Sequence, residues 1–358
     1  RRFTSLGGGH LGAVIAHILL PTLVLAVVAG ARSWAMAAVA ALLFAGVAAS
    51  APSIVPALLV LLVAWMAANP TRIHRLIAIP IPAAALFAPL IVQQLGRGNW
   101  LGLFAEPGVP VLGITPSAWQ LALGAPAGQL HGWGAFLGSI GLPTAVAALV
   151  VVVLLAPLAV LALLSLFLPG SRRAIPAMVI ALLGFVTAVI AVHVEVTLVG
   201  SQSTAIWPGP ALSLYWLGLV GGLVVALEAI GTRAAAPSFI AGLALLAVSV
   251  PLLTSIATGG IAVAESNGRL LPAFASAEAA TRPELGTLEL TAQPDGGIAV
   301  TVHRGQGTTL DERSTLYSTD TELSEADARL AELAGNIASR SGFDIAAELD
   351  ELQIAFVL

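Results

Sequence analysis

The sequence predicts a polytopic α-helical membrane protein, of about eight transmembrane helices, with a small extracytoplasmic α/β domain at its C-terminal end. Three observations predict it: eight separated apolar stretches fill residues 10 to 257, every Arg in that span lies in a gap between them, and a polar tail of about a hundred residues follows. A stretch of about 20 apolar residues matches the roughly 30 Å hydrocarbon core of a bilayer, where a helix satisfies its own backbone N–H and C=O groups without water. Hydrophobic residues make up 58% of the chain, charged residues 9%, and mean hydropathy is +0.96, which leaves too little polar surface for a water-soluble fold.

The spans fall at 10–31, 34–50, 53–69, 76–95, 143–168, 174–197, 209–231 and 235–257. The second and third are short and meet at Ser50-Ala51-Pro52-Ser53, which fits a tight hairpin or a small tilt. Arg32, Arg72, Arg75, Arg172, Arg173 and Arg233 fall in alternate gaps, whereas the opposite gaps hold only Arg97 apart from the terminal Arg1 and Arg2. The positive-inside rule puts those six in the cytoplasm of a plasma-membrane protein, with the long loop 96–142 and the tail outside. Two domains result: a membrane domain 1–260 containing that loop, and an extracytoplasmic domain 265–358 whose last residues read as the inside of a strand. The chain does not begin with Met, and residues 11 to 31 form a full span rather than a cleaved leader, so a piece of a longer protein is expected.

Charge excludes several functions. The net charge is −4, and before residue 264 the acids are Glu106, Glu195 and Glu228 alone. No basic footprint for nucleic acid exists. With no Cys, neither a disulfide framework nor thiolate chemistry is available. Gly7-Gly8-Gly9 lacks the Lys and Ser/Thr of a phosphate loop, Gly305-Gln306-Gly307 lacks a third glycine, and no cofactor is evident.

The loop 96–142 carries Arg97, Trp100, Glu106, Trp119, His131 and Trp133. Its Trp residues have two readings: anchors in the headgroup layer, or faces that stack on a sugar or prenyl chain. Pro116 and Ser117 start a short helix lying flat on the bilayer. Inside the spans, His193 and Glu195 form an ionisable pair near the outer end of the sixth, set about 200° apart on a helix, with Glu195 alternatively at the interface. Glu228 is expected to pair with Arg233, and His17 to make a hydrogen-bonded contact between helices.

In the tail, Thr287-Leu288-Glu289-Leu290-Thr291 and Ile298-Ala299-Val300-Thr301-Val302-His303 alternate as half-buried strands, joined by the turn Gln293-Pro294-Asp295-Gly296. Ser324 caps a helix with Leu330, Leu333, Ala334 and Ile337 on one face, Ser341-Gly342 stops it, and a short helix from Asp344 leads into a terminal apolar strand. Asp311, Glu312 and Arg313 read as a solvated face.

His303-Arg304-Gly305, Thr309-Leu310-Asp311, Ser314-Thr315-Leu316, the run from Leu333 to Gly342 and the closing Leu352-Gln353-Ile354-Ala355-Phe356-Val357-Leu358 resemble the C-terminal half of large actinobacterial family 2 glycosyltransferases. Glu106-Pro107-Gly108-Val109-Pro110 followed by Pro116-Ser117-Ala118-Trp119-Gln120 is similar to that group as well. The resemblance implies a cytosolic nucleotide-sugar domain with a divalent metal outside this chain, and a membrane part acting on polyprenyl-phosphate-linked sugars or glycans. Enzymes of that kind usually carry an acidic catalytic residue in their first external loop, and here only Glu106, in the loop 96–142, is approximately so placed. Glu106 and Glu195 are thus the candidate bases, with Arg97, Trp119, His131 and Trp133 as candidate substrate contacts. Expected partners are membrane lipid, the lipid-linked sugar and envelope-assembly proteins. The alternatives are a transporter or flippase for a lipid-linked precursor, and a non-catalytic membrane scaffold.

Overall fold

The computed structural model describes residues 10–108, 110, 115–127, 130–199, 202–258, 271–292, 297–305, 314–320, 325–339 and 344–358. The turn at 293–296, the cap at Ser324, the stop at Ser341-Gly342, the charges Asp311, Glu312 and Arg313, and Gly7-Gly8-Gly9 lie outside the described residues.

Apolar sequence sets the helices: α1 (Leu11–Gly30), α2 (Trp34–Ser50), α3 (Val55–Ala68), α4 (Ile73–Leu76), α5 (Ile81–Gly96), α6 (Ala118–Ala122), α7 (Trp133–Gly138), α8 (Thr144–Leu164), α9 (Ala174–Ala191), α10 (Gly209–Ile230), α11 (Ala235–Val248) and α12 (Val250–Ala257). Among the described residues, four helical stretches are long and apolar enough to cross a membrane, namely Leu11–Gly30, Ala145–Leu164, Ser171–Ala191 and Gly209–Val248. Two bent pairs, Trp34–Ser50 with Pro52–Ala68 (118°) and Pro70–Leu76 with Ile81–Gly96 (52°), raise the number to six if each is one span. The α2–α3 bend sits at Ala51-Pro52, where Pro removes a backbone donor and pushes the residue before it out of helix.

Side-chain size is sorted the way a membrane sorts it. Leu25, Leu42 and Phe239 are each 70% exposed and Phe167 84%, an apolar outer face compatible with a lipid surrounding. Small residues line the contacts. A Cβ on Gly218 of α10 would lie 2.3 Å from the Ala181 nitrogen of α9, and one on Gly184 would lie 2.4 Å from the Tyr215 nitrogen, so glycine alone permits this backbone approach. On α8, Ala147, Val151, Leu155, Leu158 and Ala162 are the buried stripe at helical spacing. His17 Nδ1 of α1 lies 3.1 Å from Ser213 Oγ of α10, the expected contact between helices.

At one end of α1 a basic cluster forms. Arg75 donates to the Ala31 carbonyl (3.3 Å) and sits 5.8 Å over the Trp34 ring, which also meets His74. Glu228 takes a different partner from the one expected: it accepts from Arg173 Nη1 at 2.9 Å, because the α9 and α10 ends that carry the two residues pack together while Arg233 turns off in the next 3-10 segment. The sixth apolar stretch ends early as helix, at Ala191 rather than near 197. Val192, Val194 and Val196 alternate there with polar residues, and β-branched side chains at period two favour strand. The result is a hairpin, β1 (Glu195–Val199) with β2 (Gln202–Ala205).

By its internal contacts the chain divides into two units: Arg1–Pro107, Val111–Glu195 and Ala205–Val263 in one, Gly108–Pro110, Val196–Thr204 and Ala264–Leu358 in the other. The second holds α13 (Ala273–Thr281), β3 (Gly286–Ala292), β4 (Ile298–Arg304), α14 (Thr315–Ser318), α15 (Glu325–Ser339), α16 (Ile345–Glu351) and β5 (Ile354–Val357). β3 and β4 pair antiparallel with Leu288 opposite Val302, as their alternation requires, and β5 adds parallel to β3, making β3 central. One sheet face packs Leu288, Leu290, Val300 and Val302 against Leu330, Leu333 and Ile337 of α15 and Leu349 of α16, with Leu333 and Leu288 fully buried. Asp344 caps α16 through the Ala347 N–H.

Candidate functional site

Three segments far apart in sequence converge in the membrane unit. After α5, Asn99 caps a 3-10 turn, Trp100–Phe104, through the Gly102 N–H (3.3 Å), and this turn carries the chain to Glu106. His10 immediately precedes α1, and Trp207 precedes α10 in the stretch Trp207-Pro208-Gly209-Pro210. His10 Nδ1 and Glu106 Oε2 lie 2.7 Å apart, with the His10 side chain 11% and the Glu106 side chain 20% exposed. The His10 ring stacks on the Trp207 indole at 4.0 Å and 6°. Gly209 makes room for that indole: a Cβ there would lie 2.3 Å from Trp207 Nε1.

Two buried polar atoms of this cluster have no hydrogen-bond partner among the described residues, Glu106 Oε1 and Trp207 Nε1. An orphaned buried acceptor costs on the order of 1–3 kcal/mol, so it marks a place where a ligand group gains by binding. One is an acceptor and the other a donor, the complement that a hydroxyl-bearing ligand needs. A carboxylate fixed through one oxygen and unpartnered at the other has a lone pair to spare for a general base.

Beside this loop runs an apolar groove of about 240 Å³ between α2, α3 and α5, lined by Phe44, Ala48, Leu59, Ala84, Phe87 and Phe104 among others. Phe104 precedes Glu106 by two residues.

The other sequence candidates have settings of their own. Arg97 is the exposed residue that ends α5. Trp119 is 51% exposed on α6, whose start is fixed by Gln120 Oε1 accepting from the Ser117 N–H at 2.8 Å, the short helix expected there. His131 and Trp133 come together in a second cluster. His131 Nε2–H donates to the Leu123 carbonyl at 2.6 Å and its ring meets Trp216 edge-on at 6.2 Å. Burial holds the His131 pKa below its ordinary value, a shift that its carbonyl partner only partly opposes. Trp133 Nε1–H donates to the Val248 carbonyl (3.3 Å), which the break between α11 and α12 leaves without its helical donor. Glu195 is exposed and opens β1, and His193 lies in the turn before it with Nδ1 2.7 Å from the Val189 carbonyl. The pair thus stands past the end of α9 rather than inside it.

Among the described residues, no group of three or more His, Asp or Glu gathers to hold a metal ion. Glu106 was legible from its place in the loop; His10 and Trp207 were not. Their only signals are a lone His at the mouth of a span and a Trp set against Pro-Gly-Pro. Comparison with protein-family models, with curated proteins and with solved structures gives no match.

Proposed function

We propose that this chain is the membrane and extracytoplasmic part of a cell-envelope glycosyltransferase that acts on lipid-linked sugars, with Glu106 as the base for an acceptor hydroxyl. The observation that carries the reading is the largely buried Glu106 carboxylate, tied to His10 through Oε2, with its buried Oε1 left without a hydrogen-bond partner among the described residues. In the transfer, Oε1 takes the hydroxyl proton as the acceptor oxygen bonds to the anomeric carbon and the lipid phosphate leaves with the bond electrons. Arg97, a guanidinium at the outer end of α5, suits the geometry of that phosphate. Glu195 is the weaker candidate, since solvent at an exposed carboxylate competes with substrate.

The reading includes eight spans, α1, α2, α3, α5, α8, α9, α10 and α11, with the Arg-bearing ends in the cytoplasm. Support comes from Gly209–Val248, a 40-residue helical stretch and so about 60 Å if straight. Trp216 and Val248 nevertheless pack on one cluster with Val151 and Leu155, and the chain breaks at Gly231, where φ is +64°. Both facts favour two helices folded back on each other.

Transfer from a lipid-linked donor by the whole protein tests the function. Glu106→Gln is expected to lower turnover by at least about 100-fold with little change in lipid binding, and Glu195→Gln to leave both unchanged. Full activity in Glu106→Gln sinks the assignment. For orientation, cysteines at Ser171 and Gly231 are expected to be shielded from an impermeant thiol reagent in intact cells and one at Ser318 to label; the opposite pattern inverts the topology.

A further inference from the structure

We infer that the groove between α2, α3 and α5 holds the single hydrocarbon chain of a prenyl phosphate, with the phosphate lying at the Arg97 and Glu106 end; this rests on the reading of Glu106 as the transfer site. The groove's lining is apolar throughout, formed by the last turns of α2, the first turns of α3, the face of α5 from Pro80 to Ile91, and Leu103 with Phe104. An apolar cavity of about 150 Å³ already stays dry and takes a benzene-sized guest. At about 240 Å³ and open on one side, this groove takes a longer apolar guest, and in a bilayer that guest is a chain.

Length and polarity choose the chain. The groove follows α5 for eleven residues, about 16 Å at 1.5 Å per residue, close to half of the roughly 30 Å hydrocarbon core. Arg97 lies six residues past Ile91, about 9 Å further along the same helix direction, and Glu106 lies two residues past Phe104, at most about 7 Å of chain. From inside outward the order is therefore apolar slot, cation, acid. That order matches a lipid whose single chain ends directly in a phosphate carrying a hydroxyl-rich head. A glycerophospholipid head carries no sugar for Glu106 to meet.

The test uses the whole protein in neutral phosphatidylcholine nanodiscs doped with a prenyl phosphate that bears a photoreactive diazirine near its phosphate-distal end, with labelled sites mapped by mass spectrometry. Labelling is expected on the α5 segment around Phe87, competed by unlabelled prenyl phosphate and not by phosphatidylglycerol. Ala84→Trp, at an exposed position that lines the groove, should lower labelling at least fivefold, and Phe87→Trp should repeat the loss if Ala84→Trp misfolds. Label spread over all outer helix faces, equal competition by phosphatidylglycerol, or undiminished labelling in both groove variants overturns the inference. Specific groove labelling with no glycosyl transfer by the parent protein keeps the groove and removes the transfer reading; transfer with diffuse labelling does the reverse.

Discussion

The two units each contain a His–Glu pair of nearly the same length, and the pairs are opposites. In the membrane unit His10 and Glu106 meet at 2.7 Å, both largely buried, and the orphaned atom is a carboxylate oxygen. In the tail His303 Nε2 and Glu289 Oε2 meet at 2.8 Å, but Glu289 is 49% exposed and the orphaned buried atom is His303 Nδ1. Register explains the tail pair. Thr287 faces His303 and Glu289 faces Thr301, so the two side chains are diagonal neighbours on the sheet face opposite the Leu288–Leu333 core. Water screens and competes at Glu289, whereas Glu106 is shielded by His10, Trp207 and the start of α1. Similar pair geometry thus leaves a buried carboxylate oxygen unpartnered in one unit and ties a buried histidine to a half-exposed glutamate in the other, and the surroundings make the difference.

The largest expected effect tests whether the tail's fold rests on its apolar core rather than on its pair. Leu333→Asp puts an unpaired charge at a fully buried position and should cost about 3–5 kcal/mol, seen as rapid proteolysis of the tail; resistance equal to the parent would mean that the α15 face is not a core. Next, His10→Ala removes the partner of Glu106 Oε2. Loss of a hydrogen bond to a charged group is worth roughly 1.5–3 kcal/mol, about 10- to 100-fold in turnover, with an altered pH profile that a purely structural role would not produce. An unchanged profile would reduce His10 to packing.

A third histidine, partly buried and bonded to a backbone carbonyl, sharpens the contrast through pH. Burial lowers the folded pKa of His131 below its unfolded value of 6.5, so its contribution to stability is complete above 6.5 and is lost as pH falls through the lower folded value. Indole fluorescence, with Trp216 against the ring, should report loosening of the loop on acidification, and His131→Gln should flatten that response. The smallest effect belongs to the exposed pair: Glu289→Gln should change tail stability by no more than about 1 kcal/mol and transfer not at all. A larger cost would show that Glu289 is coupled to the sheet more tightly than its exposure allows.

Hydropathy made the apolar helices legible, because one-dimensional runs of Leu, Val and Ala are enough to name a helix that lipid surrounds. The tail's β3, β4, α15 and α16 were legible from period and caps. The strand at 195–199 was hidden inside an apolar run, since hydropathy does not separate a buried helix end from a β-branched strand. The parallel pairing of β5 with β3 was hidden because nothing local in a four-residue apolar strand names its neighbour.

Sequence by itself determined which segments are apolar and that most of them are helical, that Arg favours alternate gaps, and that Glu106 stands in the long loop after α5. Only the tertiary structure decided that Glu106 meets His10 across 96 residues, that Trp207 stacks on that histidine, and that Glu228 is held by Arg173. The physical reason is range. Helix formation and partition into lipid depend on neighbours within a few turns, whereas a buried carboxylate takes its partner from whichever helix end the packing of small residues such as Gly184 and Gly218 brings beside it.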